Sequence, residues 1–384
     1  MTVKHYDAII VGAGSMGMAA GYYLAKQGIA TLLIDASDPP HQLGSHHGDT
    51  RIIRHAYGEG ERYVPLTIRA KELWRELEEE SGQTLFVQTG VLNAGPAPIP
   101  FIQQVRQSAE RFSLPMEVLA ADELSRRWPG IQVPDDFIGC FEPTSGVLYS
   151  EECIRAYRRL ALRHGAELLT YERVKEIQAR PDGAVVVTGQ GAYSCDKLLV
   201  SAGAWNPDLL SPLGLSLPLT PTRKTVSWYD ADEELYREGR FPAFIFQLPD
   251  AAYYGFPSIA WAGVKIGRHD GGLPVHPDEL DRTFGTDPAD EADTRSFLER
   301  FMPRAAGPLR QGRVCLYTFT PDEDFIIDQH PAYRHIVIAA GFSGHGFKFA
   351  SAVGEAASQL LLHGASVHNL SPFAINRWQR EAQG

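Results

Sequence analysis

The chain has 384 residues, a formal net charge of −11 and four cysteines. That length holds about two domains with sizeable cores, and the acidic balance excludes a nucleic-acid surface or a polybasic membrane contact. No apolar run approaches the ~20 residues that cross a bilayer, and Cys140, Cys153, Cys195 and Cys315 are too scattered for a zinc or disulfide framework, which fits a reducing cytoplasm.

The first element is a buried strand, Tyr6 to Val11, running straight into Gly12-x-Gly14-x-x-Gly17. The apolar start of the chain is therefore a phosphate-binding strand and turn, with no cleavage-site pattern of a signal peptide. A helical stretch containing Ala20, Tyr23 and Leu24 stops at Gly28, and a second strand, Ala30 to Ile34, ends on Asp35. Gly12 permits the tight turn, Gly14 lets backbone approach a pyrophosphate, and Gly17 lets helix pack on strand. The helix N-terminus offers N–H groups to the phosphates, and Asp35 can accept hydrogen bonds from an adenosine ribose. Next comes an amphipathic helix over Pro65 to Glu80 (Leu66, Leu73, Trp74, Leu77), ending near Gly82. Ser150 is expected to cap another helix that carries Glu151 and Glu152 in its first turn and ends at Gly165. A strand at Glu167 to Thr170, a hairpin-like region at Ala184 to Val187, and Leu198 to Ser201 before a glycine turn can all extend the first sheet. Residues 220–320 change character, with short strands at Thr225–Tyr229, Ala243–Phe246, Tyr253–Phe256, Val264–Gly267 and Val314–Phe319 and one helix near Thr294–Phe301. The natural reading is an antiparallel sheet. A late buried strand, Ile336 to Ala340, meets a second glycine-rich turn, GFSGHGFKFA, before a helix at Ser351 to Leu362. This second turn favours FAD over NAD, because an isoalloxazine ring far from its own adenine needs a second anchoring region.

The expected architecture is therefore α/β (α+β, two domains). A discontinuous nucleotide-binding domain spans residues 1–83, 150–215 and 321–384, and a substrate domain spans 84–149 and 216–320. GSHHGDTRIIRHAYGEG at 44–60, YYGFP at 253–257, VKIGRH at 264–269, CLYT and PDEDFIID between 315 and 328, and AAGFSGHGFKFAS at 339–351 are far more specific than the opening glycines. Over essentially its full length the chain resembles the monomeric sarcosine oxidase family, with the closely related N-methyltryptophan oxidases. The resemblance implies a flavin-dependent amine oxidase with covalent FAD. Its fold would be a Rossmann-like FAD-binding domain of the glutathione-reductase type with an inserted antiparallel-sheet substrate domain. The partners would be a small N-methyl amino acid and O2, and the protein a cytoplasmic monomer.

Strand alternation puts Cys315, Tyr317 and Phe319 on one face, and the resemblance assigns Cys315 a thioether to the flavin. Tyr317 and Tyr254 are candidate walls of the site. Lys265 lies inside an apolar strand, where a lysine is costly unless it is paired. The resemblance sets it against the flavin to promote reaction with O2, with His269 polarising the substrate pocket. Arg54 and Lys348 are the expected clamp for a substrate carboxylate. Arg51 and His47 lie beside the flavin by resemblance, and Gly344 and Gly346 would present N–H groups to its pyrimidine end. His46, His47 and Asp49 are too cramped on one loop to ligate a metal, and none is expected. The implied reaction is demethylation of sarcosine to glycine and formaldehyde, with O2 reduced to H2O2. Bulky Phe244, Ile245 and Phe246 are expected to border the pocket and favour sarcosine, whereas HQLGSHHGDT and TRKTVSWYDAD look closer to the N-methyltryptophan branch.

Overall fold

A computed structural model describes residues 3–378; residues 1, 2 and 379–384, which belong to the expected nucleotide-binding segments, lie outside it. An eight-stranded sheet carries a parallel run in the order Glu167–Leu169, Thr31–Ile34, Lys4–Val11, Ala192–Val200 and Ile336–Ala340. Ile326–Gln329 adds antiparallel to the last of these. The hairpin Glu176–Arg180 and Gly183–Val187 adds antiparallel to the first half of Ala192–Val200. Both faces are covered, so the strands read as continuous apolar runs. Ala8 and Ile10 enter the core beneath the helices Ser15–Lys26, Ser150–Arg163 and Ala350–His363, while Ile9 and Val11 enter the core on the opposite face.

The second sheet has nine strands. From one edge they run Leu273–Pro274, Thr220–Tyr229, Val264–Arg268, Ala252–Phe256, Ala243–Gln247, Val91–Pro96, Phe137–Glu142 and Glu117–Ala120, with Leu309–Phe319 on the far side of Thr220–Tyr229. Every pair is antiparallel except Val91–Pro96 with Ala243–Gln247. The strands expected within 220–320 are all present and several run longer. A three-stranded sheet of Thr50–Ile53, Gly146–Tyr149 and Phe86–Val87 completes the sheet structure described.

Two local expectations are corrected. Ser150 is the first residue of its helix rather than the cap: Tyr149 takes that place, and the Ser150 hydroxyl is buried without a protein partner. The helix expected near Thr294 begins at Ala289, where Asp290 and Glu291 favour the N-terminal end of the dipole; its first turn is polar and carries no apolar period to read.

Candidate active site

The glycines of the first turn divide their work as the spacing requires. Gly12 has φ +89°, and a Cβ there would stand 2.6 Å from the Ser201 carbonyl oxygen. A Cβ on Gly17 would fall 2.0 Å from the Gly12 carbonyl oxygen, so only glycine lets helix and strand approach. At Gly14 the nearest atom to a built Cβ is in the His46 ring, 3.6 Å away, so protein packing alone does not demand glycine there. The Asp35 carboxylate is engaged by its own chain, accepting the Ala13 and Ser37 N–H groups at 2.9 Å each and facing His41 at 3.2 Å. A ribose would have to use the lone pairs that remain.

Cys315 lies on Leu309–Phe319, opposite Lys224 in the neighbouring strand. Val314 and Leu316 pack into a separate core, leaving Cys315 and Tyr317 on the other face. Burial pushes the Cys315 thiol up, but His47 and Arg51 outweigh it and hold the thiol down at about 6. The other three thiols behave oppositely: burial raises Cys140 to about 11, Cys195 to about 12, and Cys153 well above its usual value. His47 is 2% exposed and neither of its ring nitrogens has a hydrogen-bond partner. Two orphaned polar atoms beside a stabilised thiolate suit a polar group absent from the protein itself. Arg51 donates to the carbonyls of Thr50, Ser45 and His47, fixing that loop from within.

Lys265 is 2% exposed on Val264–Arg268, beside Trp228 and Phe256 in the adjoining strands. Its ammonium donates to Gly48 O, and to Thr50 O and Oγ1 at 2.9 and 3.0 Å. The Phe256 ring centroid lies 4.3 Å away. Burial, then Arg51, push its pKa well below the usual value, while the three oxygen acceptors match the three protons of the charged form.

One cavity is lined by Arg51, Arg54, Glu59, Phe101, Tyr254, His269, Tyr317, Gly344, His345 and Lys348, among others. The Tyr317 and Tyr254 hydroxyls are 3.3 Å apart. Gly344 has φ +80°, and a Cβ there would strike the Tyr317 ring at 2.2 Å. Gly346 is glycine for a different reason: φ is ordinary, but a Cβ would sit 2.5 Å from the Phe342 Cβ. Arg54 is 2% exposed and grips both oxygens of Glu59, at 2.5 and 2.6 Å. Lys348 donates to the His345 carbonyl at 2.7 Å and to the Tyr57 hydroxyl at 3.1 Å. Burial, then Arg54, lower Lys348 to about 7. Burial favours the neutral Glu59 acid, yet Arg54, His345 and Lys348 hold it down at about 2. Burial lowers His269 to about 4 and His345 to about 3.

The model of the FAD dependent oxidoreductase family matches residues 7–360. Monomeric sarcosine oxidase from Bacillus sp. (strain B-0618) is 54% identical over 375 residues, covering 97% of this chain and 96% of the relative. The chain belongs to this FAD-dependent oxidoreductase family. Within it, N-methyl-L-tryptophan oxidase from Citrobacter koseri is 45% identical, covering 97% of this chain and 99% of the relative. Among solved structures, NikD, an unusual amino acid oxidase essential for nikkomycin biosynthesis, matches with a TM-score of 0.87 at 24% identity, over 97% of this chain and 98% of that one. Glycine oxidase from Geobacillus kaustophilus matches at 0.82 and 19%, over 98% and 99%. These last two share the fold.

Within this FAD-dependent oxidoreductase, the strand Ala243–Gln247 corrects one expectation. Only Ile245 and Gln247 line the cavity; Phe244 and Phe246 face the opposite way into the core around Phe297 and Phe301. Alternation along the strand decides this, and the aromatic wall comes instead from Phe101 and Phe256. The sequence reading also passed over Glu59, His345, Tyr57 and Lys224. Glu59 and His345 stand inside the quoted AYGEG and SGHGFK motifs, where a lone acid and a lone histidine between glycines were the available signal. Lys224, 6% exposed and donating to Asp270 O and Gly271 O, gives no signal outside its strand. Among the described residues no group of three acidic, histidine or cysteine side chains could hold a metal, and no helix is long and apolar enough to cross a membrane.

Proposed function

We propose that the protein oxidatively demethylates small N-methyl amino acids, with sarcosine as the preferred substrate, and that its FAD is held by a thioether to Cys315. The observation that carries this reading is the single cavity lined by Arg54, already gripping one carboxylate, by Lys348 and by the tyrosine pair. When bound, FAD supplies a two-electron acceptor. The chain's own residues do the rest. Arg54 exchanges Glu59 for the substrate carboxylate, with Lys348 as the second cation, and so fixes which end of the zwitterion enters first. Tyr254, Tyr317 and His269 then surround the amine. His269 is neutral at physiological pH and can accept a hydrogen bond from it. Lys265 holds positive charge where O2 is reduced, an electrostatic role that costs no reorganisation. Arg51 places further positive charge beside Cys315 and, with His47 next to the thiol, favours its thiolate. Gly12, Gly14, Gly17 and Asp35 take the adenine dinucleotide end; Gly344 and Gly346 take the flavin's pyrimidine end. We further assign the FAD to the segments of the eight-stranded sheet and the substrate to those of the nine-stranded sheet, in a cytoplasmic monomer.

The alternative, preference for N-methyltryptophan, is supported by the 45% identical relative but less than sarcosine is by the 54% identical one. The test is purified protein in air with each amine. Sarcosine should yield stoichiometric peroxide and formaldehyde with the higher kcat/KM. A preference above tenfold for N-methyltryptophan would overturn the substrate assignment. Acid precipitation should leave yellow colour in the pellet, and Cys315→Ser should release it.

A further inference from the structure

Glu142 ends the strand Phe137–Glu142 and is completely buried. Its Oε2 accepts the backbone N–H of His55 at 2.9 Å and of Ala56 at 3.2 Å. The same oxygen is 3.1 Å from His55 Nδ1, and Ser145 Oγ is 2.9 Å from that nitrogen. His55 Nε2 is buried without a partner. A proton there would be an orphaned donor, so Nδ1 carries it and donates to the carboxylate. Among the described residues no lysine or arginine is within ion-pair distance of Glu142; His55 alone is.

A buried carboxylate is costly unless donors meet its lone pairs. Here the donors all come from the two residues that follow Arg54. The strand Thr50–Ile53 stops just before that arginine, so no ladder bond fixes residues 54–56. Arg54 leans on the next peptide of the same stretch, its Nη1 lying 3.4 Å from the Ala56 carbonyl oxygen, while its Nε has no partner. Glu59 grips the guanidinium tip, and the root of the side chain stands on this stretch of backbone, so the placement of the guanidinium depends on what holds both ends.

We propose that Glu142 is a positioning residue for carboxylate recognition: by clamping the N–H groups of His55 and Ala56 it sets where the Arg54 guanidinium stands in the cavity. This rests on the reading of Arg54 as a carboxylate-binding residue. Glutamine keeps one acceptor oxygen for the two N–H groups and loses the charge; leucine loses both.

The experiment titrates acetate into the holoenzyme, follows the flavin absorption, and measures KM and kcat for sarcosine. It uses Arg54→Met, Glu142→Gln, Glu142→Leu and the double variant of Arg54→Met with Glu142→Gln. Glu142→Gln should weaken acetate and raise KM by roughly threefold to tenfold, and Glu142→Leu by about thirtyfold or more, with kcat changed less than about threefold. In the Arg54→Met background Glu142→Gln should add nothing, because its effect acts through that side chain. The proposal is overturned if Glu142→Gln leaves acetate binding unchanged, or if its penalty persists undiminished without Arg54. Should Arg54→Met alone leave acetate binding intact, the assignment of Arg54 itself fails, and the single variant reveals this. If Glu142→Leu does not fold, the glutamine variant and the double variant still decide.

Discussion

At Lys265 a single nitrogen meets three oxygens and an aromatic face, with no carboxylate among its hydrogen-bond partners. The three oxygen dipoles and the nearby Asp49 offset the burial and the Arg51 charge that favour the neutral amine, and with no carboxylate bound to it the nitrogen is free to act on whatever develops negative charge nearby. Lys265→Met should slow reoxidation of reduced enzyme by O2 by roughly 100-fold or more, while anaerobic reduction by sarcosine changes far less. Stopped-flow measurement of the two half-reactions separates them, and an equal loss in both would contradict the role. Lys348 offers a pH test. A base lowered to about 7 is charged below that pH and neutral above it. Affinity for acetate should therefore fall as pH rises through 7, by up to about tenfold per unit. His269 at about 4, His345 at about 3 and Glu59 at about 2 have already titrated and cannot produce the slope. Lys348→Met should bind acetate weakly and lose the fall through pH 7, leaving only a later decline as Lys224, lowered by burial to about 8, gives up its proton.

Helix contact is closest where Ala350–His363 crosses Ser15–Lys26. A Cβ on Gly354 would lie 2.5 Å from the Ala19 Cβ and 2.8 Å from backbone. With no space between the two helices, Gly354→Val should cost about 1–3 kcal/mol through overpacking. Thermal unfolding should reveal the loss, together with weaker retention of FAD in a Cys315→Ser background; an unchanged Tm would mean the helices slide freely. The strands teach a related lesson. Periodicity identified Ala243–Phe246 as a strand, yet which of its faces met the cavity depended on pairing with Val91–Pro96 and Ala252–Phe256. A period of two defines two faces and cannot say which is inside. Ser150 failed for a comparable reason, since a serine before an acidic pair fits both a cap and a first turn.

Across the whole molecule, the candidate site is gathered from residues 47–59 beside the three-stranded sheet, 254–269 and 315–317 on the nine-stranded sheet, and 344–348 in the turn after the last strand of the eight-stranded one. On the proposed reading FAD binds among these segments, and its non-covalent binding would add roughly 4 kcal/mol of stability at a ligand concentration 1,000 times Kd. In Cys315→Ser, Tm should rise with added FAD, whereas in the parent protein it should not respond. A Cys315→Ser protein indifferent to FAD would place the cofactor elsewhere.

The βαβ unit, the buried parallel strands, the family and several of the residues that line the cavity were legible in the chain, because each depends on local spacing or on short motifs such as GxGxxG and SGHGFK. Contacts across large separations were not. The clamp of Glu142 on residues 55 and 56 and the depressed thiol of Cys315 beside His47 exist only once segments far apart in sequence are brought together. Burial and neighbouring charge set those properties, and both belong to the folded molecule rather than to any segment of it.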